Sequence, residues 1–362
     1  MSTFSVESEE MTLFEKLLEK ELIPVACKVD EEGYYPETVL RSLGEMGAFR
    51  VSGLSPHVAL SKRMKLIELS SRYCVSTSFL IWCHTTAISF IHNSNAEYLK
   101  TSLLPLLETG QVLAGTGLSN PMKYYAGMEP LRMKATMNSD GFIINGITPF
   151  VSNVGPGHWF GIIAQINEDQ RIMAMVDCNI KGLRMTDHKD FSGLNGTRSY
   201  TCRFDEVFIP NELVISVRAD EFIPMIRSEF VLSQSGMGLG LVQTSVDSMS
   251  KAMNKQNETN KYIGISPDEL AKELNELRQQ AVLLCEKGAS GEEAFIPAVQ
   301  LRLRSAELAL RATQTAFLYH GAAGYYRKSD CMRRLREALF VAVVTPAVKH
   351  LKRILRESTP RA

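Results

Sequence analysis

Along this 362-residue chain the spacing of apolar side chains changes period twice, and that change decides what the chain can fold into. Between about residues 7 and 113, apolar residues recur every three or four positions: Leu13, Leu17, Leu18; Val39, Leu40, Leu43, Met46; Met64, Ile67, Leu69; Leu99, Leu103, Leu104. One stripe of that spacing buries one helix face, so the segment reads as several antiparallel helices. From Gly115 the period falls to two. Leu131, Met133, Ala135 and Met137 alternate with Arg132, Lys134 and Thr136. The turn Asn138-Ser139-Asp140-Gly141 then leads into Phe142-Ile143-Ile144-Asn145-Gly146, which predicts a hairpin. Strand-like runs follow at 160–165, 172–176, 182–185 and 200–209, so the middle third reads as an antiparallel sheet ending near Pro210. From about 218 the spacing is helical again. One helix is opened by Ser266-Pro267-Asp268-Glu269, a capping box with proline in the first turn. The expected division is 1–113 helical, 114–216 sheet and 217–362 helical, a mainly α, α+β fold.

Composition narrows the class of function. Lys+Arg and Asp+Glu both number 40, so no net field draws the chain to nucleic acid or to an anionic membrane. Single cores stop growing near ~250–300 residues, so this length holds two or three packed units. The seven cysteines are scattered with no CxxC pair, which argues against a disulfide framework or a zinc site and for a reducing, cytoplasmic setting. The N-terminus, MSTFSVESEEMTLFEKLL, is acidic and amphipathic, unlike a secretory signal. The most apolar run, 79–91, contains Cys83, His84 and two threonines and falls short of the ~20 residues that span a bilayer, so no membrane span is expected. The histidines show no HExxH spacing, so no metal is expected. No GxSxG elbow is present, and SGMGLGL (235–241) misses the GxGxxG register, which leaves close helix packing as the reason for its glycines.

A set of short motifs, in order, resembles the acyl-CoA dehydrogenase superfamily. They are His84 with Asn93-Ser94-Asn95-Ala96-Glu97, Leu118-Ser119-Asn120-Pro121, Phe150-Val151-Ser152-Asn153, Asp205-Glu206-Val207-Phe208-Ile209-Pro210, Gly321-Ala322-Ala323-Gly324-Tyr325, and Arg333, Arg336 and Glu337. The resemblance implies an N-terminal helical domain, a central β-domain and a C-terminal four-helix bundle that assembles a homodimer or homotetramer. It implies FAD as hydride acceptor, with Leu118 and Ser119 at the pyrimidine edge of the isoalloxazine, Phe150 over one face and Ser152 near N5. Gly321 and Gly324 would approach the ribityl or adenine part of a neighbouring chain's FAD. The implied reaction is α,β-dehydrogenation of an acyl thioester, with an electron-transfer partner for reoxidation. The residue types suit that role, because a flat aromatic ring with a polar edge needs apolar walls and a few placed donors. Taken singly, each serine reads equally as a turn former.

The chain departs from the family pattern where the chemistry sits. Removing the α-proton needs a base, and Thr345 stands where the family's usual glutamate falls. Some relatives place that base at the start of the helix leading to Gly240-Leu241-Val242-Gln243, which makes Glu229 the candidate. Glu229 reads equally as a solvated glutamate favoured by a helix dipole. The family's Arg-x-x-Phe-Gly segment, which reaches the FAD diphosphate, is replaced by Asn257-Glu258-Thr259-Asn260-Lys261-Tyr262-Ile263-Gly264, leaving Lys255, Lys261 or Arg327 as substitute cations. Met128 replaces the small serine near the thioester. These departures open a second reading. Segments 146–152 and 193–199 are similar to those of reduced-flavin monooxygenases of the same fold, which take reduced flavin from a partner reductase. There His84, an imidazole titrating near neutral pH, would serve the oxygen chemistry; the alternative for His84 is a satisfied helix histidine. A third reading is a catalytically silent member of the same fold.

Overall fold

The computed structural model describes residues 3–188, 190–288 and 291–358, without the side chains of 3–8, 254–257 and 292. The N-terminal helices are α1 (Thr3–Glu21), α2 (Ala26–Glu31), α3 (Glu37–Glu45), α4 (Pro56–Ser71), α5 (Val75–His92) and α6 (Leu104–Glu108). Helix α5 contains the apolar run noted in the sequence and is buried from Val75 to Ile91. A helix apolar on every side has to be enclosed by other elements. Here α4, strand β1 (Ala114–Thr116) and a turn at Asn195–Thr197 enclose it. Each of its larger apolar side chains contributes about 1.5–3 kcal/mol by leaving water, so α5 anchors the N-terminal half.

The sheet continues with β2 (Met133–Asn138), β3 (Gly141–Val151), β4 (Trp159–Gln165), β5 (Arg171–Asp177), β6 (Leu183–Asp187), β7 (Tyr200–Pro210) and β8 (Val214–Ser216). Its order is β6-β7-β3-β2-β4-β5-β8, and β1 pairs in parallel with β4. The expected hairpin forms with Met133 opposite Gly146 and Asn138 opposite Gly141. Strands β4 and β5 carry five consecutive buried residues each, because the sheet is covered on both faces there. One segment differs from the sequence reading. The motif Leu118-Ser119-Asn120-Pro121, whose serine reads singly as a turn former, opens a short helix, α7 (Ser119–Tyr125), because Pro121 falls in the first turn where its missing N–H costs nothing and Met122, Tyr124 and Tyr125 pack against the core.

The C-terminal helices are α8 (Ala219–Ser233), α9 (Ser235–Asn260), α10 (Pro267–Glu286), α11 (Glu292–His320), α12 (Asp330–Val343) and α13 (Val348–Ser358). Helices α8 to α11 pack on one another as a bundle, and α4 lies along α9. The glycines of SGMGLGL permit that approach: a Cβ at Gly240 would sit 2.1 Å from Glu68 O, and one at Gly236 2.9 Å from Ile67 Cγ2. The capping box at Ser266 forms in full, with the Glu269 N–H donating to Ser266 Oγ at 3.2 Å and the Ser266 N–H donating to Glu269 Oε2 at 3.0 Å. The architecture is the expected α+β one: helices, sheet, helices. Among the described residues no helix is long and apolar enough to cross a membrane, and no cluster of His, Cys, Asp and Glu is placed to hold a metal.

Candidate active site

Two serine-bearing turns, 33 positions apart in sequence, are held side by side at one end of the sheet. Thr116, at the end of β1, forms an antiparallel bridge with Ser152, just past β3. The approach leaves no room for a side chain at position 115, where a Cβ would lie 2.1 Å from Ser152 O. Asn153 fixes the second turn in a left-handed conformation, φ 61°. Its Oδ1 accepts from Tyr35 Oη at 2.6 Å, its Nδ2 donates to Ala114 O at 2.7 Å, and its N–H donates to Thr197 O at 3.0 Å. Burial pushes the Tyr35 phenol well above its ordinary range, so it stays protonated and keeps donating. Phe150 also has positive φ, 57°, and is 56% exposed with its ring stacked on His188 at 4.7 Å. A bulky residue held at positive φ is strained and persists only where its surroundings enforce it.

These turns form one wall of a cavity of about 770 Å³ between the sheet and the C-terminal helices. The opposite wall is aromatic: Phe79 stacks on Trp82 at 5.6 Å, Phe340 meets Phe79 edge-on at 4.8 Å, and Phe230 meets Trp82 at 4.9 Å. Hydroxyls are concentrated at two places. Ser119 Oγ lies 3.0 Å from Thr345 Oγ1, while Ser152 Oγ lies 2.5 Å from Ser199 Oγ, which in turn is 2.9 Å from Thr197 Oγ1. The charged or titrating groups on the lining are Lys123, Lys349, His350 and the thiol of Cys83, with no carboxylate there among the described residues. Burial, then the neighbouring Lys349 and Lys123, lower the pKa of His350. Its Nδ1 accepts from the Ala347 N–H at 3.2 Å, so the neutral ring carries its proton at Nε2. Lys123, Thr345 and His350 also border an adjoining pocket of about 240 Å³ whose apolar wall includes Met122, Tyr125, Met128, Ile223 and Phe295. One carboxylate lines that pocket: Glu357, held by Arg353 Nε at 2.7 Å and more than half exposed.

Three of the residues singled out in the sequence, Ser119, Phe150 and Ser152, therefore converge on the cavity. The others lie elsewhere. Leu118 is fully buried in the core, its N–H donating to Thr116 Oγ1 at 3.3 Å. Glu229 faces away from the cavity, across α8 from its neighbour Phe230: its Oε1 lies 2.5 Å from Arg63 Nη2, its Oε2 accepts from Asn93 Nδ2 at 3.3 Å, and it lines a separate small cleft with Phe49 and His92. The carboxylate is thus held by a buried guanidinium well along α8, and it lies off the lining of that cavity. His84 is fully buried with both ring nitrogens engaged. Nδ1 accepts from the Ala114 N–H at 3.1 Å, which makes Nε2 the donor to Leu107 O at 3.0 Å. Burial holds its pKa down to about 3, so it is a neutral strut tying β1 to α6, off the lining of this cavity. Gly321 and Gly324 lie in the 3-10 turn Gly321–Tyr325 that closes α11, off the lining of this cavity. Lys261 pairs with Glu258 at 2.9 Å, Arg327 borders a polar recess with Glu31 and Asp190, and the side chain of Lys255 lies outside the described residues.

Sequence reading missed the aromatic wall. Phe79 and Trp82 stand three positions apart, so one face of α5 carries both. Phe230 and Phe340 come from helices far along the chain and carry no local signal.

Known proteins share both the chain's length and its fold. The family profile described as "Acyl-CoA dehydrogenase, N-terminal domain" matches residues 9–111. The short-chain-specific acyl-CoA dehydrogenase of Clostridium acetobutylicum is 22% identical over 343 residues, covering 88% of this chain and 89% of that protein. Butyryl-CoA dehydrogenase from Megasphaera elsdenii has the same fold, with TM-score 0.89 at 15% identity over 100% of both chains. So has a glutaryl-CoA dehydrogenase from Mycobacterium smegmatis in complex with FADH2, with TM-score 0.83 at 13% identity over 99% of this chain and 95% of that one. The likeness of fold runs the length of the chain, and its residues 9–111 carry the match to the N-terminal domain of acyl-CoA dehydrogenases.

Proposed function

We propose that this protein is a flavin-dependent oxidoreductase that holds FAD in the 770 Å³ cavity. The donor set supports that reading. Phe150 offers a protruding aromatic face, Ser119 and Ser152 offer hydroxyls free to turn their protons outward, and the opposite wall of Phe79, Trp82, Phe230 and Phe340 excludes water. Bound FAD supplies two-electron transfer to or from a substrate. The adjoining pocket suits the substrate's apolar body, with Met128 narrowing its wall.

One observation favours a reaction that needs no carboxylate base: among the described residues, none of those lining the cavity is a carboxylate. Thr345 occupies the usual base position, its hydroxyl engaged with Ser119, and Glu229 is held by Arg63. A threonine hydroxyl does not take a carbon-bound proton at neutral pH. We therefore infer a reduced-flavin monooxygenase served by a flavin reductase, in which His350 holds a transferable proton at Nε2. The second reading, α,β-dehydrogenation of an acyl thioester with FAD as hydride acceptor and an electron-transfer partner, is favoured by the length-wide likeness to acyl-CoA dehydrogenases and by the apolar pocket. Exposed Leu318, Leu339 and Val343 on α11 and α12 support assembly as a dimer or tetramer, and the free cysteines support a reducing, cytoplasmic setting.

The test is anaerobic and aerobic spectroscopy of the FAD-loaded protein. The oxygenase reading expects no bleaching of the flavin by acyl thioesters and substrate-dependent oxygen consumption once a reductase and NADH are added. Anaerobic bleaching by a thioester establishes the dehydrogenase instead.

A further inference from the structure

Behind the wall formed by residues 342–345 a charge is buried without an opposite. Arg302 of α11 is fully buried and heads the largest side chains enclosed in this protein. Its Nε donates to Gln234 Oε1 at 3.0 Å and its Nη2 to Val341 O, while Nη1 has no hydrogen-bond partner. No salt bridge joins it to a carboxylate among the described residues. Burial pulls its pKa down to about 10, with no neighbouring anion to offset the loss, so it is still charged at neutral pH. A buried charge with no counter-ion costs several kcal/mol, more than two hydrogen bonds to neutral acceptors return. Packing alone does not account for it.

Both acceptors lead to the cavity. Val341 O immediately precedes the lining residues Ala342, Val343 and Val344. Gln234, while accepting from Arg302, donates through Nε2 to Thr345 O at 2.9 Å, and Thr345 Oγ1 reaches Ser119. The guanidinium thus lies one layer behind the wall, in a medium where fields are weakly screened. Lys123, Lys349 and His350 stand on the lining itself, and the charge of Lys123 is offset by Glu129, whose Oε1 lies 2.9 Å from its Nζ. The buried guanidinium of Arg302 is therefore the cation of the layer behind the wall that no carboxylate offsets among the described residues.

We propose that Arg302 is an electrostatic positioning residue that makes the cavity prefer the reduced flavin ring to the oxidised one. The inference rests on the reading that the cavity holds FAD. The oxidised ring is neutral. When two electrons enter with a single proton, it bears one negative charge, which a buried cation stabilises. The diphosphate and adenosine are the same in both redox states, so their attraction to Lys123 or Lys349 cancels in the ratio of the two affinities. A preference for the reduced form is also what a protein receiving reduced flavin from a reductase needs.

The experiment measures dissociation constants for oxidised FAD and for dithionite-reduced FAD, anaerobically, with the wild-type protein, Arg302→Met, Arg302→Lys and Arg302→Gln. Wild type is expected to bind the reduced form more tightly. Arg302→Met should lose roughly tenfold of that preference, equivalent to ~30 mV in a two-electron potential, and Arg302→Lys should keep most of it. Arg302→Gln, the second neutral variant, should behave as Arg302→Met and carries the test if the methionine protein does not fold. A purely structural role weakens both affinities together and leaves their ratio unchanged. A folded neutral variant with the wild-type ratio therefore overturns the proposal. Failure of wild type to bind FAD in either state overturns the reading beneath it, which is a different result.

Discussion

His84 and Glu229 show what residue type alone leaves undecided. An imidazole in an apolar run reads as a catalytic group or as a buried strut, and the choice depends on the Ala114 N–H and Leu107 O, both more than 20 positions away. Glu229 meets Arg63 across 166 positions. Neither partner carries a local signal. Ser119, Phe150 and Ser152 were legible because each sits in a short motif whose order along the chain is itself informative. The His84 environment makes a pH prediction. Its folded pKa, about 3, lies below the ordinary 6.5, so the native state refuses a proton that the unfolded chain accepts. The associated stability is complete above about pH 6.5 and is lost as pH falls towards 3, at up to ~1.4 kcal/mol per pH unit. Urea unfolding between pH 7 and 4 should show a steeper loss for wild type than for His84→Gln. Equal slopes would mean that His84 titrates normally in the folded protein.

At the scale of elements, period and turn chemistry located the hairpin β2–β3, the capped start of α10 and the switch from helix to sheet. Helix α7 was not legible, since Gly, Ser, Asn and Pro favour turns and only packing of the following residues selects a helical turn. The decisive element is the shortest one. Strand β1 has three residues, yet it joins α5, β4 and the Ser152 turn. Gly115→Ala should push it off Ser152 O, at a cost above about 2 kcal/mol. Tm and FAD affinity should fall together, because the same contact sets the fold and the spacing of the two serines. Unchanged flavin affinity in a destabilised Gly115→Ala protein would separate β1 from the site.

At the scale of the whole molecule, the cavity draws its walls from all three layers: Phe79 and Trp82 from the N-terminal helices, Ser119 to Ser152 from the sheet, Phe230, Phe340 and Thr345 from the C-terminal helices. The lack of a carboxylate on its lining, among the described residues, and the buried charge of Arg302 behind it arise from that assembly, in a chain whose 40 basic and 40 acidic residues balance. Composition therefore could not reveal them. The motif order revealed the fold and three residues of the cavity lining, Ser119, Phe150 and Ser152, and Thr345 marked where the chain departs from the family pattern without showing what stands in for the glutamate. The account stands on a flavin ring lying against Phe150 between the two serine turns. Titration of the purified protein with FAD, followed by flavin fluorescence and absorbance, tests this most directly. The prediction is saturable binding of one FAD per chain, weakened about tenfold, or ~1.4 kcal/mol, in Phe150→Ala, while the flavin-free variant keeps its stability within ~0.5 kcal/mol. Wild-type affinity in Phe150→Ala, or no binding of FAD by either protein, would contradict it.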